Sequence, residues 1–280
     1  MKQYKLFGII GFPIKHTLSP YMHNAAFNKL KIAAAYLPFE VKKAKLKEAI
    51  SSLKENGLSG FNVTIPFKSA CMKYLDKIEP TSKAIGAVNT VIVKGKKLIG
   101  YNTDYTGFIR SLKEELKFKP KGKTIFIVGA GGAARAACFG LAKEGAKKIY
   151  AYDIIKPKAK ELVKGAKRVF RNCDIDVCSK KDVKDAICDS DLLVNCTPLG
   201  MGKSDPLPID IKFLHKGIKV YDVVYTPLET KLIKLSKQKG IKACGGAGML
   251  LYQGVVAFEL WTKKKAPVTL MRKALLDNLK

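Results

Sequence analysis

The chain has 280 residues, 47% of them hydrophobic, enough for two modest domains with real cores. No apolar run approaches the roughly 18 to 20 residues of a membrane span, and the start MKQYKLFGIIGFP has no small-residue cleavage site, so no membrane partner is expected and a cytoplasmic location is. The net charge of +29 is nearly all lysine spread along the chain, with five arginines and no basic–aromatic interleaving, so no nucleic-acid partner is expected; the field would steer anionic small molecules instead.

Seven scattered cysteines without a C-x-x-C pair read as reduced thiols, and three histidines offer no ligand spacing, so no metal is expected. Residues 5–10 read as a strand, and Ser19-Pro20 as an N-cap and first-turn proline opening a helix to about Leu30. Residues 34–39 are strand-like. Val41, Ala44, Leu46, Ala49, Ile50 and Leu53 recur at helical spacing until Gly57. A buried strand over 60–65, a short helix after Pro66, and a hairpin over 88–100 turning at residues 94–97 follow. A helix over about 105–116, capped by Thr103 or Asp104, leads to the next domain.

Residues 123–153 carry the strongest local signal: strand, glycine turn, helix, second strand and closing acid. Gly129, Gly131 and Ala134 fall on the G-x-G-x-x-G/A spacing, in which the first glycine turns tightly and the second admits a pyrophosphate to the helix start. Further βα alternation through 192–196, 219–224 and 227–239 extends a parallel sheet. After residues 245–248 two apolar helices close the chain and are expected to pack back on the first domain.

The expected fold is α/β: a substrate-binding domain over 1–104, a Rossmann-like dinucleotide-binding domain with a mostly parallel sheet over 105–244, and C-terminal helices over 245–280 returning to the first domain. Polar residues just after strands are the candidates for chemistry. Three clusters stand out: Thr17 and Ser19; Asn62, Thr64 and Lys68; and Asn89 with Asn102, Thr103 and Asp104. Taken singly, Ser19 and Asp104 also read as helix caps.

In order and spacing these clusters resemble the shikimate dehydrogenase family (shikimate/quinate dehydrogenases). The motifs are HTLSPxxHN at 16–24, GFNVTIPFK at 60–68, AIGAVNT at 84–90, GYNTDYTGF at 100–108, GAGGAARA at 129–136, NCTPLGM at 195–201, YDVVYTPLETKL at 221–232 and GAGMLLYQG at 246–254. The resemblance implies an NAD- or NADP-dependent oxidoreductase that interconverts 3-dehydroshikimate and shikimate in aromatic amino acid biosynthesis. It implies Lys68 and Asp104 as catalytic residues. Thr17, Ser19, Thr64, Asn89, Tyr225 and Gln253 would hold the substrate, and Asn62 is added to them as a polar residue interrupting an apolar strand; Gly129, Ala130, Gly131, Gly132, Ala133, Asp153, Thr197, Val223, Gly246 and Met249 would line the cofactor. A homodimer is compatible with this reading.

Two positions depart from the family pattern. Many NADP-using members carry Asn-Arg-Thr where this chain has Asp153-Ile154-Ile155. An aspartate there accepts from ribose hydroxyls and repels a 2′-phosphate, so the residues lean to NAD while family habit leans to NADP. Thr17 stands where serine is commoner, which raises an NAD-dependent quinate/shikimate dehydrogenase as an alternative. A remoter alternative is a non-catalytic nucleotide-sensing or nucleic-acid-binding protein, motivated by the charge.

Overall fold

The computed structural model describes residues 4–279. In chain order they form β1 (Lys5–Gly11), α1 (Ser19–Lys29), β2 (Ala34–Glu40), α2 (Leu46–Glu55), β3 (Gly60–Val63), β4 (Lys77–Ile78), α3 (Pro80–Ile85), β5 (Thr90–Lys94) and β6 (Lys97–Tyr101). Then come α4 (Asp104–Glu115), β7 (Thr124–Val128), α5 (Gly132–Lys143), β8 (Lys148–Tyr152), α6 (Lys156–Lys167), β9 (Asp174–Val177), α7 (Val183–Cys188), β10 (Leu192–Asn195) and β11 (Lys219–Asp222). The chain finishes with α8 (Lys231–Gln238), β12 (Ala243–Cys244), α9 (Ala247–Thr262) and α10 (Val268–Leu276). It divides into two compact units. The first runs up to Thr103 and is rejoined by Gln253–Leu279; the second is Asp104–Tyr252.

The first unit is built on a mixed sheet of order β2-β1-β3-β5-β6-β4. Strands β2, β1 and β3 run parallel, and β5 and β6 form the antiparallel hairpin expected from the sequence. Pro38 is tolerated in β2 because that strand lies at the sheet edge, where a missing N–H breaks no ladder. One face is covered by α2, whose Leu46, Ile50 and Leu53 sink into a core with Ile10, Phe61, Val63 and Val91. The C-terminal segment packs here: α10 lies against α1, and the Trp261 indole N–H donates to the Val91 carbonyl at 3.0 Å. Gly60 makes room for that ring, because an added Cβ would overlap it.

Two local expectations change. The segment after Pro66 is a 3-10 stretch, Ala70–Tyr74, rather than an α-helix, in keeping with the poor return on nucleating so few residues. Ser19 is not the cap of α1: Leu18 holds that position without a side-chain bond, and Ser19 is the first helical residue, ahead of Pro20. Its hydroxyl does not cap the helix.

The second unit is a six-stranded sheet of order β12-β11-β10-β7-β8-β9, with every pair parallel. The strands read as continuous apolar runs because both faces are covered. Helices α4, α5 and α6 bury one face around Ile125, Ile127, Leu141, Ile149 and Val194; the opposite face centres on Phe126, Ile187, Leu193 and Val220. The order reverses between β7 and β10, the place where such sheets bind ligands at their carboxyl ends. Helix α8 begins at Lys231 rather than near Pro227 because the Thr230 side chain accepts from the Ile233 N–H and caps it. Among the described residues no helix is long and apolar enough to cross a membrane, and all seven cysteines are free thiols.

Candidate active site

In the second unit the glycine turn follows β7 directly. Gly129 has φ +95°, a conformation that side chains resist, and an added Cβ would stand 3.0 Å from the Cys196 backbone after β10. Gly131 precedes the first turn of α5, and a Cβ there would meet nothing within 4 Å. The open space lies beside the unpaired N–H groups of a helix start, so the residues present fit a dinucleotide pyrophosphate. Ala134 is fully buried, as close helix–strand packing requires.

Asp153 sits at the end of β8. One carboxylate oxygen accepts from the Ala130 N–H and the other from the Ile155 N–H, each at 2.8 Å. The acid thus ties the glycine turn to the turn after β8. Beside it Ile154 is 87% exposed and offers no donor. The Arg135 guanidinium, on the first turn of α5, is paired with Glu161 at 2.8 Å.

The ends of β10 and β11 are held by a buried polar knot that motif reading passed over. Asn195 Oδ1 accepts from the Thr197 N–H at 3.0 Å and hydroxyl at 2.7 Å, while its Nδ2 donates to Asp222 Oδ1 at 2.9 Å. Asp222 also accepts from the Val224 N–H at 3.1 Å and the Thr230 hydroxyl at 2.7 Å. Burial pushes the Asp222 carboxyl up from its ordinary range, against the pull of those donors. The knot fixes Thr197 and Val223 on neighbouring loops. Gly246 is pressed onto the Val223 backbone, and Met249 is buried in the core beside Tyr221. Tyr225 is half-buried, and its phenol is shifted upward by that burial.

In the first unit, backbone bonds lace the motifs together. The Val88 N–H donates to the Lys68 carbonyl at 2.8 Å, the Val63 N–H to the Asn89 carbonyl at 2.9 Å, and the Asn89 N–H to the Tyr101 carbonyl at 3.0 Å. Phe12 N–H donates to the Ile65 carbonyl at 3.1 Å, which brings the segment bearing Thr17 and Ser19 beside the one bearing Thr64 and Lys68. Asn89 Oδ1 accepts from the Thr103 N–H at 2.7 Å, and Asn89 Nδ2 donates to Thr103 Oγ1 at 2.9 Å and Gln253 Oε1 at 3.3 Å. Ser19, Asn62, Asn89, Asn102, Thr103 and Gln253 are buried, whereas Thr17, Thr64 and Lys68 are half-buried. Asp104 is buried at the start of α4, in the second unit, with Tyr225 and the predicted cofactor residues.

Sequence reading missed Tyr36, Thr90, Asn195 and Asp222. A fully buried tyrosine in a strand signals a hidden partner for its hydroxyl, but nothing in AAYLPFE says which.

A glycine turn at the switch point of a six-stranded parallel sheet, in a chain with a second α/β unit rich in buried amides and hydroxyls, defines a dinucleotide-binding protein. Residues 9–91 match the family described as Shikimate dehydrogenase substrate binding domain, and residues 246–276 match Shikimate 5'-dehydrogenase C-terminal domain. The Shikimate dehydrogenase (NADP(+)) of Carboxydothermus hydrogenoformans is 44% identical over 273 residues, covering 97% of this chain and 96% of the relative. The crystal structure of shikimate 5-dehydrogenase from Listeria monocytogenes, in complex with shikimate and NAD, superposes with a TM-score of 0.90 at 36% identity, covering 98% of this chain and 96% of that one. Quinate dehydrogenase from Corynebacterium glutamicum in complex with NAD gives a TM-score of 0.92 at 30% identity, over 98% and 99% of the two chains. The chain belongs to the shikimate dehydrogenase family.

Proposed function

We propose that this protein is a shikimate dehydrogenase, catalysing the reversible, NAD(P)-dependent reduction of 3-dehydroshikimate to shikimate. The observation that carries the reading is the full-length likeness to a curated shikimate dehydrogenase at 44% identity, with every motif residue for the chemistry present. The likeness to shikimate dehydrogenases at 41% and 44% identity over nearly the full chain favours shikimate over quinate as substrate. A nicotinamide dinucleotide held by residues 129–133 and Asp153 would supply or accept the hydride at the carbon bearing the reacting oxygen. Lys68 and Asp104 are the pair that carries the accompanying proton, taken up by the forming alkoxide in one direction and given up by the hydroxyl in the other. Thr17, Ser19, Thr64, Asn89, Tyr225 and Gln253 hold the carboxylate and hydroxyls of the substrate. The substrate-binding part extends from residue 1 to 104, and the protein acts without nucleic acid.

Asp153 sets the cofactor preference. Its carboxylate is fixed by two backbone donors, Ile154 brings none, and Arg135 is already paired. Two like charges at about 4 Å repel by roughly 4 kcal/mol at an effective dielectric of 20, and solvent exposure lowers that, which still leaves a several-fold preference for NAD over a 2′-phosphorylated cofactor. The test is absorbance at 340 nm with shikimate and quinate, each offered NAD and NADP. Turnover of shikimate with a higher kcat/KM for NAD is expected, and folded Lys68→Ala and Asp104→Asn should each lose at least about a hundredfold in kcat. Near-wild-type turnover in either variant removes it from the catalytic pair, and a clear NADP preference refutes the role given to Asp153.

A further inference from the structure

A line of polar side chains crosses the otherwise apolar sheet of the first unit. Asn62 on β3 pairs directly with Thr90 on β5, and Tyr36 on β2 lies across β1, two residues out of register with Asn62 (Phe7↔Tyr36 against Ile9↔Asn62). The Tyr36 hydroxyl donates to Asn62 Oδ1 at 2.6 Å. Asn62 Nδ2 donates to the Asn89 carbonyl and to Thr90 Oγ1, both at 2.9 Å. Thr90 Oγ1 in turn donates to Asn89 Oδ1 at 3.1 Å and lies 3.1 Å from Thr103 Oγ1. Tyr36 and Thr90 are fully buried, and Asn62 is 4% exposed.

These bonds occupy both N–H groups of the Asn62 amide, and its oxygen is held by Tyr36. An amide used up in this way has no donor left for a ligand. At the other end, the Tyr36 backbone is gripped in both directions by the Asn24 side chain, whose Oδ1 accepts at 2.8 Å and whose Nδ2 donates at 3.0 Å. The His23 ring stacks on the phenol at 4.4 Å. The phenol is therefore rigid before any ligand arrives. The Ser19 side chain is close enough to Tyr36 to act on its phenolic oxygen.

We propose that Tyr36, Asn62 and Thr90 form a buried positioning relay that orients Asn89, and through it Thr103 and Gln253, for the polyhydroxylated substrate, with Asn62 acting from behind rather than touching the ligand. Thr90 Oγ1 donates to the Asn89 amide oxygen and Asn62 fixes the Asn89 backbone, so loss of the relay removes part of what sets the rotamer of that amide. An amide misaimed by one rotamer weakens substrate binding more than the chemical step. The proposal rests on the functional reading above.

Tyr36→Phe deletes only the hydroxyl and keeps the stack on His23. It should raise the KM for shikimate about three- to tenfold, leave kcat within about twofold, and leave the KM for the cofactor unchanged. Thr90→Val should act likewise, and Thr90→Ser, which restores the hydroxyl, should return the KM to the wild-type value. Combining Tyr36→Phe with Thr90→Val should cost less than the product of the single effects, as expected for members of one network. Unchanged shikimate KM in folded Tyr36→Phe and Thr90→Val, equal rises for substrate and cofactor, or Thr90→Ser no better than Thr90→Val, would each overturn the relay while wild-type turnover upholds the functional reading. No wild-type turnover of shikimate would overturn that reading and the relay with it.

Discussion

His23 is fully buried among Phe27, Tyr36, Phe258 and Trp261, and neither ring nitrogen has a hydrogen-bond partner in the structure. Desolvation lowers its pKa from 6.5 to about 3. Above pH 6.5 the ring is neutral folded or unfolded and costs nothing by titration. Below it the unfolded chain takes up a proton that the folded chain refuses, so stability falls with pH by about 1.4 kcal/mol per unit until the folded ring also protonates. From pH 7.5 to 4.5 that is on the order of 2 to 3 kcal/mol. His23→Phe keeps the aromatic packing and removes this dependence. Urea unfolding at pH 7.5 and 4.5 should show a smaller acid loss in the variant by roughly that amount; equal losses would show that the ring is protonated in the native state.

The same residue marks what single positions reveal. His23 falls inside the HTLSPxxHN motif, yet nothing in the motif separates a ligand-facing histidine from one locked in an aromatic cage. Asn62 is a parallel case. Its place in GFNVTIPFK pointed to the substrate, and only the cross-strand register reveals that its amide is spent on Tyr36, Asn89 and Thr90. Burial of a polar group demands a partner, but the partner's identity is a long-range fact.

Elements were more legible than partners. The run from Thr124 through Asp153 yielded its strand, turn, helix and strand because local propensity, glycine placement and apolar patterning agree there. The sequence segment 227–239 starts earlier than α8 does, because Thr230, bonded to Asp222, sets the cap. The glycines flanking the predicted cofactor residues separate two physical roles. A Cβ at Gly246 would overlap the Val223 carbonyl, so Gly246→Ala must shift backbone, at a cost of about 1 to 3 kcal/mol. A Cβ at Gly131 meets no protein atom within 4 Å but fills the space proposed for the pyrophosphate. Melting curves and cofactor KM should therefore diverge: Gly246→Ala lowers Tm and raises KM, while Gly131→Ala raises KM at nearly constant Tm. A Gly131→Ala variant with unchanged cofactor KM would argue against the pyrophosphate site.

For the whole molecule, the chain passes between its units twice, at Thr103–Asp104 and again at Tyr252–Gln253 within α9. The second unit is one continuous stretch with its own six-stranded sheet, and the first is not: α10 on α1 and Trp261 against Gly60 and Val91 come from the far end of the sequence. A fragment covering 104–252 is expected to fold with a cooperative transition. A fragment ending at residue 103 should not, until a 253–280 peptide is added. Circular dichroism on both fragments checks this, and cooperative unfolding of the 1–103 piece alone would refute it.

On the ribosome, this connectivity inverts the order in which the halves mature. The segment made first has to wait with its Trp261 slot empty while everything downstream is translated, and the segment made second can settle before it. A nascent chain stalled before residue 253 would thus expose Phe7, Phe27 and the other aromatic groups that Trp261 and Phe258 cover in the folded unit, which makes the codons for residues 253–279 the interval in which chaperone binding matters most.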